Sequence, residues 1–333
     1  MLKYILKRIG LAIIVLFGVS VIIYFLMRLM PSDFVDSKFG PLFQSGKFTE
    51  EDMQRMREIY GIGDRDFVSI LTGYFKWIGA VFTGDLGISF VYERPVGTVI
   101  FEHMGVSFGI AFVAYLLEML IAIPLGVKAA TKQYGVLDYT TNVLTMIGTA
   151  LPTFFFAAIC IQLFGVGVGA LGIFPVQGLI TPNKDLTGLA YFGDMLWHLI
   201  LPIGIMVFLS VGSLMRYTRT NTLEVLNADY IRTARAKGLS ERKVIYRHAF
   251  RNTLIPLVTL LAGMLPSLFS GAMITEQMFS IPGVGYMAYD ALLKGDIPFV
   301  MGYNMFLAIL TVLGMLLADI MYAVVDPRVK IDK

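Results

Sequence analysis

Apolar residues in this chain run in long unbroken stretches, not in the alternation of strands or the single stripe of a helix lying on a soluble core. A bilayer core needs about 20 such residues per helix, and six stretches qualify: Ile9 to Leu29, Val106 to Val127, Tyr139 to Val168, Leu196 to Met215, Asn252 to Thr275 and Pro298 to Tyr322. The fifth carries no charge, and the sixth carries only Asp319. The pattern predicts an all-α polytopic membrane protein with six transmembrane helices.

Between the first two stretches lie residues 31–105, which read as a small α-rich insert. Thr49 followed by Glu50, Glu51 and Asp52 resembles a helix start, with acids where the helix dipole favours them. Met53, Met56, Ile59 and Tyr60 form an apolar face that Gly61 closes. A second amphipathic stretch runs from Phe67 to Ile78. The predicted divisions are therefore 1–30 (N-terminus and first helix), 31–105 (insert), 106–325 (membrane core, with a basic loop at 216–251) and 326–333 (tail).

Composition agrees with the pattern. Of 333 residues 56% are hydrophobic and 15% charged, against roughly a quarter charged in soluble domains. The net charge of +3 matters less than its placement. Lys128 and Lys132 follow the second stretch, nine Lys and Arg lie between Arg216 and Arg251, and Arg328, Lys330 and Lys333 end the chain. Loop 169–195 carries only Lys184, and 276–297 only Lys294. The positive-inside rule then predicts a multi-pass membrane protein with both termini and the basic loop cytoplasmic and the insert extracytoplasmic. The first stretch is too long for a signal core and is read as a retained span. The single cysteine, Cys160, rules out an intrachain disulfide.

Asn227 to Pro256 is the most charged segment and carries helix punctuation. Asp229 is placed to cap one helix, Gly238 to end it in a left-handed turn, and Ser240 to cap a second. Small residues at Ala228, Ala234 and Ala236 leave room for close docking. The segment is thus a structured element as well as a topology marker.

Catalytic motifs are scarce. Gly46-Lys47 is followed by Phe48, so no phosphate-binding loop is present, and His103, His198 and His248 fall at three different span ends, so no metal site is expected. Gly105-Val106-Ser107-Phe108-Gly109 matches G-x-S-x-G, but it opens a membrane helix where a nucleophile elbow needs a strand before its serine. A membrane-embedded serine hydrolase is the remote alternative. Its glycines, like Gly165 and Gly169, read instead as close-packing positions between helices. Glu118, in the middle of the second stretch, either lines a pathway or bonds a neighbouring helix.

These features together resemble the membrane subunits of ABC importers of the oligopeptide/dipeptide/nickel branch, OppB/DppB-like permeases of binding-protein-dependent transport. The likeness covers essentially the whole chain. It includes the opening Met1 to Arg8, Arg28-Leu29-Met30-Pro31, Gly84-Asp85-Leu86-Gly87-x-Ser89, Arg94-Pro95-Val96, the block from Asp229 to Ser240, Arg247-His248-Ala249-x-Arg251-Asn252, Ile281-Pro282-Gly283-x-Gly285 and Asp326-Pro327-Arg328. Ser32-Asp33-Phe34 departs from the more typical Gly-Asp-Pro. The resemblance implies a permease that moves oligopeptides or dipeptides, with nickel or oligosaccharides as alternatives. It implies a second, OppC/DppC-like permease, two ATPases that bind the ATP and Mg, an extracytoplasmic solute-binding protein, surrounding membrane lipid, no nucleic acid, and no cofactor or enzymatic activity in this chain. It places ATPase coupling on Ala228, Asp229, Tyr230, Ile231, Arg232, Thr233, Ala234, Arg235, Ala236, Lys237 and Gly238. Glu118, Pro266, Glu276, Pro282 and Gly283 are pathway or gate candidates.

Overall fold

A computed structural model describes residues 2–29, 33–60, 62, 66–250, 252–253, 264–270 and 272–325, with side chains from residue 8 onward except at 265–266 and 318–325. Every regular element among the described residues is helical; two isolated β-bridges, Ile88 with Pro95 and Gly165 with Phe174, join loop segments. Residue contacts divide the chain into two compact units, described separately.

Four helices are long and apolar enough to cross a membrane: α1 (Leu2–Arg28), α5 (Val96–Thr131), α8 (Gly188–Leu226) and α14 (Ile297–Val325). A fifth crossing arises if α6 (Val136–Ala150) and α7 (Thr153–Phe164) count as one. The third apolar stretch is therefore not a straight helix, because α6 and α7 meet at 101°. Pro152 lacks an amide hydrogen and holds Leu151 extended, with φ −88° and ψ 123°. The fifth stretch lies largely outside the described residues. Its visible part includes the short helix α11 (Leu265–Ser270), which contains Pro266.

Helix lengths exceed the apolar windows. The second helix begins at Val96, ten residues before the predicted span, so the insert's last ten residues are its first turns. Polar Glu102 and His103 end the apolar window without ending the helix. Hydropathy measures what lipid tolerates, whereas a helix continues wherever its backbone bonds close.

The first unit comprises Met1–Ser107, Phe269–Met273 and Gly283–Leu316. It holds α2 (Phe34–Gln44), α3 (Glu50–Ile59) and α4 (Phe67–Phe82). The last two match the sequence pattern, and Thr49 closes a capping box with Asp52 on α3. Helix α2 is unexpected, since Gly40 and Pro41 read as breakers. It is fixed from outside: Asp33 and Asp36 form a capping box, and Arg57 of α3 reaches Asp33 at 3.1 Å and Asp36 at 2.6 Å. The core of this unit packs Val96 and Ile100 against Val284 and Ala288 of α13 (Val284–Leu293) and Phe299 of α14. The buried Asp296 carboxylate accepts from Ser89 Oγ at 2.5 Å, Val91 N at 2.9 Å and Phe299 N at 3.1 Å, which ties loop 84–95 to the start of α14. All three donors satisfy a charge that burial would otherwise make costly.

The second unit comprises Phe108–Leu268, Ile274–Pro282 and Leu317–Lys333, and it is built on α6 against α8. A Cβ on Gly212 would lie 2.6 Å from the Thr145 amide nitrogen, and one on Gly148 would strike the Leu209 carbonyl. Thr145 Oγ1 donates to the Gly212 carbonyl at 2.7 Å. Gly126 of α5 meets α8 in the same way, with a Cβ there 2.7 Å from the Met215 carbonyl. The two glycine pairs picked from the sequence do not play this part. A Cβ at Gly105 or Gly109 meets nothing within 4 Å, and Gly165 and Gly169 pack on each other in the turn after α7.

Substituting Gly212→Ala is expected to destabilise the fold by about 1–3 kcal/mol through overpacking. Thermal unfolding of the purified protein in detergent measures this. Gly204→Ala on the same helix, with open space around it, should leave the transition within a degree or two of wild type.

Candidate functional site: the basic loop after the eighth helix

Helix α8 has 39 residues, about 58 Å at 1.5 Å per residue, nearly twice a bilayer core of roughly 30 Å. Its charged final turns, from Arg216 onward, extend past the apolar window. Arg219 on these turns bonds Asp138 at the start of α6, with Nη2 to Oδ2 at 2.8 Å, and the Tyr134 amide donates to the same carboxylate oxygen at 2.9 Å. Asp138 is only 4% exposed, so removing Arg219 would strand a buried charge, a loss of about 3–5 kcal/mol.

After the C-cap Asn227 a single extended residue, Ala228, turns the chain into α9 (Asp229–Ala236). Ala228 is the N-cap, so Asp229 is the first helical residue and not the cap predicted. Its side chain is 98% exposed and 3.7 Å from Arg232, a pair that water screens, and its favourable effect is on the helix dipole. Ser240 does occupy an N-cap but makes no side-chain capping bond. The C-terminal punctuation holds: Gly238 has φ +73°, its amide bonds the Arg235 carbonyl at 2.9 Å, and the Leu239 amide reaches the Ala234 carbonyl at 3.4 Å. This is the Schellman arrangement, and Leu239 packs into the same apolar cluster as Ala234, as that motif favours.

The second predicted helix is a three-residue turn, α10 (Glu241–Lys243), that widens into a π-helical segment, Val244–Ala249. The wider turn brings Val244 and Ala249 onto Ile231 and Ala234, and Val225, Leu226 and Leu239 complete the cluster. This loop lies beyond the lipid-compatible stretch, so the hydrophobic effect acts fully, and burying Ile231 stabilises it by about 1.5–3 kcal/mol. Arg235 Nε to Glu241 Oε1 at 2.7 Å adds an outer tie.

The eleven predicted coupling residues thus divide. Ile231 and Ala234 are buried in the loop's own core. Asp229, Tyr230, Arg232, Thr233, Arg235, Ala236, Lys237 and Gly238 are exposed, and Ala228 is half-buried. Burial pushes the Tyr230 hydroxyl up from its usual range, opposed by its bond to Asn252. The outward face is basic, with one acid among three cations.

The gate candidates are distributed over both units. Glu118 is 6% exposed on α5, within the second unit. Glu276, on α12 (Met273–Met278), is buried in the same unit, and its carbonyl accepts from Ile281 at 2.8 Å. Pro282 belongs to that unit and Gly283, the N-cap of α13, to the first. The Pro266 side chain lies outside the described residues. Ser107 is in mid-helix, 1% exposed, and accepts from the Val284 amide at 2.8 Å; it sits on no strand-turn-helix elbow.

Sequence reasoning missed Asp138, Arg219, Gly148 and Gly212. A signal existed for α6, where Thr141, Thr145 and Gly148 recur at the i, i+4, i+7 spacing of a small-residue stripe. None existed for the π-segment.

Ile231→Ala is expected to loosen the loop by about 2–5 kcal/mol, seen as faster amide exchange over residues 228–250. Arg232→Ala, which removes only an exposed group, should leave that exchange unchanged.

Comparison with known proteins places this loop in context. Residues 122–331 match the family described as binding-protein-dependent transport system inner membrane component, and residues 1–111 match the N-terminal family of the same membrane components. The chain is 36% identical over 331 residues to the oligopeptide transport system permease protein AppB of Bacillus subtilis (strain 168), covering 99% of this chain and 100% of that one. It is 32% identical to the dipeptide transport system permease protein DppB of Lactococcus lactis subsp. cremoris (strain MG1363), covering 99% and 100%. A putative peptide transport system permease of Brucella abortus (strain 2308) is 34% identical over the full length of both chains. Long apolar helices with outward Ile14, Phe17, Leu120 and Met146 suit a multi-pass protein of the inner membrane. The chain is a transport subunit and not an enzyme: it belongs to the family of inner membrane components of binding-protein-dependent ABC transport systems.

Proposed function

We propose that this chain is the permease of an ATP-driven importer that takes oligopeptides or dipeptides from an extracytoplasmic solute-binding protein. The observation that carries the proposal is α9. It is a short basic helix closed at Gly238, with its apolar face spent on its own loop and its charged face turned outward at the end of a rigid, overlong α8. Such an element is suited to a complementary acidic groove on an ATPase. The chain has no phosphate-binding loop, so ATP and Mg belong to two partner ATPases. A second, similar permease, the binding protein and the surrounding lipid complete the assembly.

The topology in this reading is six spans, with both termini and the basic loop cytoplasmic and the insert outside. The Lys and Arg distribution supports it, as does an even span count. Closure of the ATPases on ATP moves α9; α8 carries the displacement to α6 through the Gly148 and Gly212 contacts, and the path alternates between its two openings. The docking residues are Asp229, Tyr230, Arg232, Thr233, Arg235, Ala236 and Lys237, with Ile231, Ala234 and Gly238 holding their shape. Glu118, Pro266, Glu276, Pro282 and Gly283 serve the pathway and its gate. Peptide is favoured because the full-length relatives named above are peptide permeases; selection then resides mainly in the binding protein.

The test reverses the outward charges. The triple variant Arg232→Glu, Arg235→Glu, Lys237→Glu should retain its thermal transition while capture of the ATPases and peptide-stimulated ATP hydrolysis fall by roughly tenfold or more, since like charges facing each other cost several kcal/mol. Unchanged capture and hydrolysis would remove α9 from the docking role.

A further inference from the structure

The first unit contains a cavity of about 670 Å³ with an unusual balance of polar groups. It opens beside the C-terminal end of α1 and the middle of α4. Arg28 and Lys76 line it, and none of its described lining residues is an acid. In its wall, the Tyr24 hydroxyl, Arg28 Nε and Trp77 Nε1 are buried without a hydrogen-bond partner among the described residues. Tyr24 itself is 1% exposed. Its hydroxyl is seated against Gly73, where any Cβ would collide with it, and its ring lies 5.6 Å below the Arg28 guanidinium. The rest of the wall is largely apolar, including Ile297 and Met301.

Burying donors without partners is costly, about 1–3 kcal/mol each, and structures usually supply the missing acceptor. Two cations and unsatisfied N–H and O–H groups, with no carboxylate among the described lining residues, call for an acceptor-rich anion. The apolar part of the wall calls for an amphiphile. Position narrows the choice further. Arg28 ends the apolar span Arg8–Arg28, at the level where Arg snorkels and Trp settles among headgroups. The same two helices leave Ile22, Leu26, Phe67 and Phe75 exposed, and acyl chains can lie along them.

We infer that this cavity binds the headgroup of an anionic phospholipid, its phosphate between Arg28 and Lys76 and its glycerol end toward Trp77. The lipid pins α4 to α1 at the membrane surface. This rests on the membrane placement of the chain and is independent of the peptide reading, so either can fail alone.

The test uses the full-length protein with Trp197→Phe, which leaves Trp77 as the only tryptophan of two. Phosphatidylglycerol titrated in neutral mixed micelles should change Trp77 emission saturably, at concentrations well below those phosphatidylcholine needs. Lys76→Gln, an exposed position that does not threaten folding, should raise the midpoint roughly fivefold, and Arg28→Gln by a similar factor. Inorganic phosphate alone should leave the emission unchanged. An equal response to phosphatidylcholine, no saturable response, indifference to both substitutions, or saturation by inorganic phosphate alone would each overturn the assignment.

Discussion

Within a bilayer the hydrophobic effect gives two helices no reason to associate, because lipid tails are as apolar as leucine. What holds α6 to α8 is shape. Glycines at 148 and 212 let backbone approach backbone, and the Thr145 hydroxyl spans the gap to the Gly212 carbonyl. Contacts of this kind do not stretch by degrees; they hold or they break. The ion pair of Asp138 with Arg219 repeats the attachment nearer the basic loop. A helix anchored in both ways is a suitable carrier of displacement, and the loop beyond it inherits that stiffness.

The loop relies on a different force. Beyond the apolar span, water is again the solvent, and a miniature core around Ile231, Ala234, Val244 and Ala249 folds α9 onto the chain's own π-segment. The consequence is a division of labour along one short helix. Apolar side chains serve the fold, and the charged ones are left to face outward. An amphipathic helix met in isolation suggests an apolar face awaiting a partner; here that face is already occupied. Recognition by a partner must therefore depend on charge and on the contour left by small residues such as Ala236.

Much of this was legible in the sequence. Long apolar runs marked α1, α5, α8 and α14, and Gly238 marked the left-handed end of α9, because few other residues adopt φ +73°. Thr49 and its acids marked α3. The failures are instructive in physical terms. At Pro152 the apolar run continues unbroken, so a sharp bend looked like one span. Helix α2 is stabilised by Arg57, a residue of another helix, and no local pattern around Pro41 records that. The loop's buried pair, Ile231 and Ala234, stood among the coupling residues that the resemblance implies, and a motif match does not tell which neighbour a face meets.

The central claim is that α9 and α8 move as one body when the ATPases close. The direct measurement is a spin-label distance in the assembled importer between Arg216→Cys on α8 and Ser240→Cys just after α9, both exposed sites, in a Cys160→Ser background. The account predicts one narrow distance distribution, the same with and without ATP. A distribution that shifts or broadens on ATP binding would show α9 hinging at Asn227 and Ala228, and would contradict the account.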